Sequence, residues 1–390
     1  MFQRIEARGY RCLRKVEQSI NPFEILVGSN ASGKSTFLDV IAFLGTLISA
    51  GLEAAVEERT TNFHDLVWRR DADRFELAVE ALIPDGRRVE SVPIHRCADT
   101  IRYEVVSRLD TLTEKLHIET ERVTIFSSKI GQISSVEVIT RSKVFQFISE
   151  VSLRTYGREQ PHRNYSALNM LPADAEFPAA AWLRDLLRWG ITPVALDIAQ
   201  LRKPSPPATS DVSDLRGSYL ARSVSQLRSG HPAEFDAWLA HVRTVLPDIK
   251  DIRTVVKEDD RHRYVIIDYQ NGVSVPSWIV SDGTLRLLAL TLLAYAPDFS
   301  GVYLIEEPEN GVHPTALQAI YESLSSVYEG QVLVASHSPV LLSMAKPEQL
   351  LCFVKTQDGP RIVRGSEHQA LRDWQGEVSL GMLAASGILG

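Results

Sequence analysis

The amino-acid sequence predicts an α/β protein built around a phosphate-binding loop, with a β-rich insert and a helical lobe. Three observations lead to this prediction. A short apolar run is joined by a glycine-rich loop to a stretch with apolar residues at helical spacing, two later apolar runs end in polar residues, and short alternating runs lie between them. Apolar runs that alternate with helical stretches are typical of parallel βαβ units, which bind ligands at the carboxyl ends of their strands.

The glycine-rich loop is the most specific of these features. It follows the branched, apolar run FEILV, and its residues Gly28, Gly33, Lys34 and Ser35 fit the pattern G-x-x-x-x-G-K-[ST]. In this motif the backbone N–H groups surround the phosphates, the lysine reaches the β- and γ-phosphates, and the hydroxyl ligates Mg²⁺. The start of the following helix adds a partial positive charge. An ordinary Gly/Ser connection would leave Lys34 unexplained, so we predict a nucleotide site.

Composition and charge limit the remaining possibilities. The 390 residues include 42 Lys and Arg against 49 Asp and Glu, a net charge of -7, which argues against a chain coated in positive charge for nucleic acid but leaves room for a local basic patch. The three cysteines form no C-x-x-C pair, so neither a disulfide framework nor a zinc site is predicted. The sequence contains no uninterrupted run of 18 apolar residues, so no membrane-spanning segment is predicted. We expect a cytoplasmic protein with no membrane association.

The texture of the sequence changes along the chain and predicts two or three lobes. Runs such as RFELAVEALI and KLHIETERVTIF alternate like strands, whereas PAAAWLRDLLRWG and HPAEFDAWLAHVRTVLP have helical spacing, and Asn271-Gly272 marks a hairpin turn. The expected divisions are residues 1–72 for the N-terminal part of the core with the P-loop, 73–160 for the β-rich insert, 161–255 for the helical lobe, and 256–390 for the C-terminal part of the core.

Two adjacent carboxylates end the predicted strand in SGVYLIEEPEN. Phosphoryl transfer requires a phosphate cradle, a metal ligand and a group that orients the attacking water. Since side chains alternate along a strand, Glu306 and Glu307 are expected to have different roles. We assign Glu306 to Mg²⁺ and Glu307 to the attacking water, with His337, at the end of the predicted strand GQVLVA, near the γ-phosphate. A solvated strand end is the alternative, and the P-loop disfavours it.

The segment WIVSDGTLRLLALTLLAYA predicts an apolar helix with Ser281 or Asp282 as its N-cap. Taken alone, it would be a capped core helix. In order along the chain, however, GSNASGKST, SDGT, YLIEEPEN and ASHSP resemble the Walker A, signature, Walker B with D-loop, and switch-histidine motifs of ABC-type ATPases. The resemblance is strongest to the RecF/SMC-like branch and its prokaryotic AAA_21-type ATPases, which include the ATPase parts of overcoming-lysogenisation-defect nucleases and of several antiphage systems. It covers residues 1–45 and 275–345.

This resemblance implies an ABC-type ATPase head that uses ATP and Mg²⁺. It also implies a head-to-tail homodimer that sandwiches ATP, and possible higher oligomers. The signature of one subunit would contact the γ-phosphate held by the other, and the D-loop would lie at their interface. The departures at Asp282, Thr284 and Glu306 imply slow or triggered hydrolysis. The residues implied in nucleotide binding are Arg11, Gly28, Asn30, Ala31, Ser32, Gly33, Lys34, Ser35, Thr36, Ser281, Gly283 and Asn310.

The expected biological role is that of a sensor or regulatory core of a multi-protein antiphage system. The residues after His337 contain no acidic cluster resembling a Toprim nuclease, so we expect a nuclease or toxin effector on a separate chain. The alternatives are a RecF-like DNA-binding repair ATPase and a nucleotide-gated scaffold with little turnover. A basic stretch could contact DNA, although a solvated surface is its commoner meaning. This stretch comprises Arg141, Lys143, Arg154, Arg158, His162 and Arg163.

Overall fold

The structure is a computed structural model. It describes residues 1–89, 98–128, 131–142, 145–157, 163–207, 220–297, 299–372, 374 and 378–389. The chain divides into two compact units. The first comprises Met1–Pro22, Asn30–Ile191 and Phe353–Val363, and the second comprises Phe23–Ser29, Thr192–Cys352 and Arg364–Gly390. In the part of the chain that the structure describes, no helix combines the length and the apolar composition needed to cross a membrane.

The first unit contains an eight-stranded sheet. Numbered in chain order, its strands are β1 (Phe2–Tyr10), β2 (Leu13–Ser19), β4 (Arg74–Leu82), β5 (Thr100–Asp110), β6 (Lys115–Ser127), β7 (Gly131–Arg141), β8 (Phe145–Ile148) and β9 (Thr155–Gly157). They pair in the order β2-β1-β4-β5-β6-β7-β8-β9, and every pair is antiparallel. Its helices are α1 (Lys34–Ala50), α2 (Leu52–Glu57) and α3 (Pro178–Trp189).

The strands predicted for the β-rich insert are continuous with the N-terminal hairpin. Strand β4 pairs with β1, with Val79 opposite Ile5, so the later strands extend the sheet that begins at residue 2. Both side chains are fully buried. On alternate positions Glu6 accepts two hydrogen bonds from Arg102, at 2.8 and 2.7 Å. Apolar and polar side chains therefore alternate between the two faces of the sheet, and the Glu6–Arg102 pair on the polar face is itself buried.

The second unit is built on parallel strands. Its strands are β3 (Phe23–Val27), β10 (Ile191–Val194), β14 (Val302–Glu306), β15 (Gln331–Ala335) and the start of β16 (Leu350–Thr356), which passes into the first unit at Phe353; β17 (Gly359–Arg364) follows β16 in the chain and lies in the first unit up to Val363. These strands of the second unit pair in the order β10-β14-β15-β3-β16, and the pairs from β14 to β16 are parallel. These strands are apolar on both faces because helices cover parallel sheets on both sides. The crossover helices here are α8 (Pro314–Ser325) and α9 (Pro339–Met344), and α10 (Leu380–Ala385) packs on α9.

A second core in this unit surrounds Trp238. The surrounding elements are α4 (Ile198–Arg202), α5 (Leu220–Gly230), α6 (Pro232–Val245), α7 (Asp282–Leu292) and an antiparallel sheet of β11 (Ile249–Val256), β12 (Arg263–Tyr269) and β13 (Ser274–Pro276). The Trp238 indole donates to Thr291 Oγ1 at 3.0 Å, which satisfies its N–H in the core. The predicted turn between β12 and β13 is confirmed, and Gly272 adopts φ +84° there.

Candidate functional site

Three strand ends meet at one edge of the parallel sheet in the second unit. Glu306 at the end of β14 pairs with Ala335 at the end of β15, and Ala335 pairs with Leu26 of β3. The chain beyond β3 begins the P-loop at Gly28, and the chain beyond β15 continues to His337. The convergence of strand ends predicted from the sequence is confirmed for these three strands.

The two adjacent carboxylates do not share a strand. β14 ends at Glu306, and Glu307 turns the chain with a left-handed backbone, φ +48°, directly before Pro308. The main-chain N–H of Glu307 donates to Ala335 O at 2.8 Å, which ties the turn to β15. The two carboxylates are therefore separated by a change of backbone conformation and not by strand alternation, which was the basis of the sequence prediction. A left-handed residue other than glycine costs free energy and is concentrated at functional sites.

The Glu307 carboxylate lies between two side chains. Asn310 Nδ2 donates to Glu307 Oε2 at 2.5 Å, and His337 Nδ1 lies 3.6 Å from Glu307 Oε1. The side chains of Glu307 and His337 are about half exposed, at 46% and 45%. The structure thus brings Glu307, Asn310 and His337 together at a solvent-accessible edge, with the carboxylate oriented from both sides.

The P-loop continues into the first unit and ends at the start of α1. Ala31 and Gly33 have left-handed backbones, with φ of +56° and +99°, and Gly33 is the residue before the helix. A Cβ atom at Gly33 would lie 3.0 Å from Pro360 Cγ and 3.2 Å from Cys12 Sγ, so only glycine fits. Ser32 is buried, and among the described residues its hydroxyl has no hydrogen-bond partner.

The other Walker A residues differ in exposure. Lys34 is buried, whereas Asn30 and Ser35 are exposed. Thr36 is half-buried, and its Oγ1 lies 3.4 Å from Cys12 Sγ. The buried end of the loop thus contains a lysine and an unpartnered hydroxyl at the start of a 17-residue helix. These are features of an anion site.

Arg11 belongs to a cluster around a carboxylate of α1. Asp39 accepts from Tyr10 Oη at 2.6 Å and from Arg59 Nε at 2.7 Å, and it lies 3.1 Å from Arg11 Nη1. Burial, together with the adjacent Asp39 carboxylate, raises the pKa of Tyr10 well above its usual value, so the phenol remains a donor. Arg59 also pairs with Glu58, at 3.1 Å, so of the two arginines Arg11 is the one whose only carboxylate among the described residues is Asp39, and it is the more exposed.

The signature segment begins helix α7. Ser281 is its N-cap, and Ser281 Oγ accepts from the Thr284 N–H at 3.2 Å, so the N-cap is Ser281 and not Asp282. The Asp282 carboxylate instead accepts a hydrogen bond from Arg202. A Cβ atom at Gly283 would lie 3.1 Å from the carbonyl oxygen of Gly311, so the signature packs closely against the end of the D-loop.

One prediction about the basic stretch is wrong. Arg141 is not a surface cation, because its side chain is 3% exposed and donates to Tyr165 O at 2.7 Å and to Glu121 at 3.4 Å. A guanidinium held by a buried carboxylate is not available to DNA phosphates. Arg154 and Arg163 are exposed. Lys143, Arg158 and His162 lie outside the described residues.

Sequence reasoning did not identify two carboxylates. Glu309 accepts from Ser336 Oγ at 2.8 Å and from the His337 N–H at 3.0 Å, although in the sequence it is one acidic residue among several. Asp39 gave a signal that could have been used, because it is the only acidic residue in helix α1. A lone carboxylate in an apolar helix needs a partner.

Comparisons with known proteins agree with this geometry. A family model described as "AAA domain, putative AbiEii toxin, Type IV TA system" matches residues 24–343. The fold resembles that of the Smc head bound to the C-winged helix domain of ScpA, with a TM-score of 0.57 at 16% identity over 93% of this chain and 97% of that one. It also resembles the Pyrococcus furiosus Smc head domain with an extended coiled coil bound to the C-terminal domain of ScpA, with a TM-score of 0.53 at 13% identity over 93% and 95%.

A search of curated proteins finds no match. The family model spans most of the chain, and the Smc heads support the fold alone. The family model confirms the resemblance to AAA_21-type proteins, and the Smc heads confirm the predicted α/β fold. The chain belongs to the AAA_21 family of AAA-domain proteins.

Proposed function

We propose that this chain binds ATP with Mg²⁺ and hydrolyses it at the sheet edge where β3, β14 and β15 end. The main support is the left-handed turn at Glu307, which presents a carboxylate held by Asn310 and approached by His337. The residue has a strained backbone and a half-exposed carboxylate, and it lies at the sheet edge from which the P-loop starts. Strain at a solvent-accessible group is better explained by chemistry than by stability.

The residues present fit a magnesium nucleotide. The buried Lys34 and the unpartnered Ser32 hydroxyl suit phosphate oxygens, and Arg11 adds a cation. Ser35 and Glu306 provide the hard oxygen donors that Mg²⁺ prefers, and we propose that they hold it. When bound, Mg²⁺ neutralises charge on the phosphate oxygens. Asn30, Ala31, Gly33 and Thr36 would contribute the rest of the loop, beginning at Gly28.

In this mechanism Glu307 orients the attacking water and accepts its proton. A general base must lie within hydrogen-bond reach of the proton that it removes, and it must hold its orientation. Asn310 fixes Oε2, which leaves Oε1 directed toward His337 and available to a water molecule. His337 would contact the γ-phosphate region.

The assembly that we propose is a head-to-tail homodimer around ATP. Ser281 is exposed, Gly283 lies in the first turn of α7, and Asn310 is exposed on the D-loop, so these residues can meet a second subunit. The Asp282 carboxylate accepts a hydrogen bond from Arg202. The guanidinium offsets its negative charge, so Asp282 would repel a phosphate less strongly. Higher oligomers are compatible with this arrangement. Turnover that is slow or needs a trigger fits a regulatory head.

The biological role that we propose is a regulatory core with a separate effector, a nuclease or a toxin, in antiphage defence. The family description names a putative toxin and a toxin–antitoxin system, which supports a role in a multi-protein system of this kind. A DNA-repair function has weaker support because Arg141, the first residue of the basic stretch, is buried against Glu121.

The test of the catalytic proposal uses three variants. Lys34→Ala should abolish ATP binding, whereas Glu307→Gln should bind ATP and stop before hydrolysis, because only the base is lost. Lys15→Ala, which removes an exposed lysine from the same unit, is the matched control and should match wild type in both measurements. Equal turnover in wild type and Glu307→Gln would contradict the assignment.

The test of the dimer uses Gly283→Glu in the Glu307→Gln background. The added carboxylate should leave ATP binding to each subunit intact and abolish ATP-driven closure, measured with an inter-subunit distance probe. Linkage requires that closure tighten ATP binding by the same factor by which ATP favours closure. An unchanged distance in the Glu307→Gln parent with ATP bound would contradict the sandwich.

A further inference from the structure

Two loops at the carboxyl edge of the sheet are joined by one carboxylate. The turn after β14 carries Glu309, and the loop after β15 carries Ser336 and His337. Glu309 Oε1 accepts from Ser336 Oγ at 2.8 Å and from the main-chain N–H of His337 at 3.0 Å. A single oxygen thus fixes both a side chain and the backbone immediately beside the imidazole.

The hydrogen bonds continue into helix α9. Ser336 Oγ, which donates to Glu309, accepts from the Ser338 N–H at 3.1 Å. Ser338 is the N-cap of α9, with its Oγ accepting from the Leu341 N–H at 3.4 Å. In each of these three bonds the donor lies on the α9 side and the acceptor on the Glu309 side, so the chain from α9 to Glu309 has a defined orientation.

The other oxygen of this carboxylate shows that the arrangement is not optimised for stability. Glu309 Oε2 is buried and has no hydrogen-bond partner among the described residues. A buried acceptor without a partner costs free energy, and an apolar residue here would avoid that cost. Because a carboxylate is present despite this cost, we attribute its presence to the two hydrogen bonds that Oε1 accepts, from Ser336 and His337.

We propose that Glu309 is a positioning residue that sets the place of His337 relative to Glu307. The side chains of His337 and Glu307 are about half exposed, and His337 Nδ1 lies 3.6 Å from Glu307 Oε1, so packing alone does not fix their separation. Glu307 is anchored to β15 through its own N–H, and Glu309 anchors the loop that carries the imidazole. The part of the inference that concerns catalysis rests on the proposed ATPase function.

The experiment compares Glu309→Ala, Glu309→Gln and Ser336→Ala, with Glu329→Ala as the control for loss of an exposed carboxylate. The first readout is amide hydrogen exchange of residues 335–338 without nucleotide. Removing the charged acceptor should speed exchange at His337 by roughly tenfold in Glu309→Ala. Glutamine retains an acceptor oxygen and should restore protection, and Ser336→Ala should be intermediate. Unchanged exchange in Glu309→Ala would overturn the proposal.

The second readout is steady-state ATP hydrolysis. Glu309→Ala should lower kcat by about 10- to 100-fold with KM unchanged, because misplacement of a reacting group acts on the transition state. Glu309→Gln should recover most of kcat. If Glu309 were needed only for stability, Glu309→Ala and Glu309→Gln would instead change the melting temperature and lower the active fraction of the protein equally. Wild-type kcat in a Glu309→Ala protein with fast exchange at His337 would also overturn the proposal.

The two readouts separate the two proposals. If wild type binds ATP without turning it over, the proposed hydrolysis is wrong, and hydrogen exchange at His337 alone decides whether Glu309 positions the loop. If wild type hydrolyses ATP and Glu309→Ala changes neither exchange nor kcat, the proposed function stands and the positioning role is wrong.

Discussion

The left-handed backbone at Glu307 predicts a reversal of the usual order of stability between alanine and glycine. At most positions glycine is the less stable residue, because it loses more conformational freedom on folding, about 0.5–1 kcal/mol relative to alanine. At φ +48° a residue with a Cβ atom carries a penalty of about 1–2 kcal/mol that glycine avoids. The difference favours Glu307→Gly over Glu307→Ala by about 0–1.5 kcal/mol, with a central value of about 0.75 kcal/mol.

The matched control is the same pair of substitutions at Gln318, an exposed residue within helix α8. There glycine should be less stable than alanine by about 1 kcal/mol. Both positions lie in the same compact unit, so separate unfolding of the two units would affect the two pairs equally. The free energies of unfolding are measured by urea denaturation, and the sign of the Gly-minus-Ala difference is compared at the two sites.

The expected result is opposite signs at Glu307 and Gln318, with ATP hydrolysis absent from both Glu307 variants. Such a result would mean that the chain holds a strained residue where its carboxylate is needed, at a cost in stability. If alanine is the more stable residue at both sites, Glu307 is not held in the left-handed conformation, and strain cannot support its assignment as the base.

Three further predictions concern other parts of the chain. Burial raises the pKa of Glu150 from 4.5 to about 7, against two backbone N–H donors that lower it. The contribution of Glu150 to the free energy of unfolding is therefore complete below about pH 4.5, and about 3 kcal/mol of it is lost as the pH rises through about 7. Urea denaturation at several pH values should show this loss in wild type and not in Glu150→Gln. Gly33→Ala should abolish ATP binding in a nucleotide titration, since its Cβ atom would lie 3.0 Å from Pro360 at φ +99°. Gly381→Ala should lower the melting temperature by the equivalent of about 1–3 kcal/mol, because its Cβ atom would lie 1.9 Å from the Pro339 oxygen, whereas Gly230→Ala, in open space, should not.

The features that sequence reasoning predicted correctly depend on local chemistry. Ser281 is an N-cap because its hydroxyl reaches an N–H three residues later. Gly272 marks a hairpin turn because its backbone needs a positive φ. The parallel strands that end at Glu306 and before His337 were predicted from short apolar runs separated by a helix. In each case the residue type and its spacing contain the whole cause, so no knowledge of distant contacts is needed.

The features that sequence reasoning missed depend on contacts between distant parts of the chain. Strand β4 pairs with β1 because their buried faces match, and many patterns of alternation would match equally well. The burial of Arg141 depends on Glu121 in the neighbouring strand, so a run of basic residues in the sequence did not reveal which of them reach solvent. Local periodicity fixes which face of a strand is apolar but not which strand lies beside it.

Glu309 and Asp39 show what a motif leaves undetermined at a functional site. Motif spacing is constrained where one ligand must be contacted by residues of one loop, as in the P-loop. Glu309 and Asp39 instead contact the protein, at His337 and Arg11, and a supporting residue can come from any segment that the fold brings near. A lone carboxylate in an apolar helix, as at Asp39, indicates that a partner is needed, but an energetic anomaly in the structure identifies the supporting role. For Glu309 it is a buried oxygen without a partner, and for Asp39 it is a single acidic group that serves two arginines.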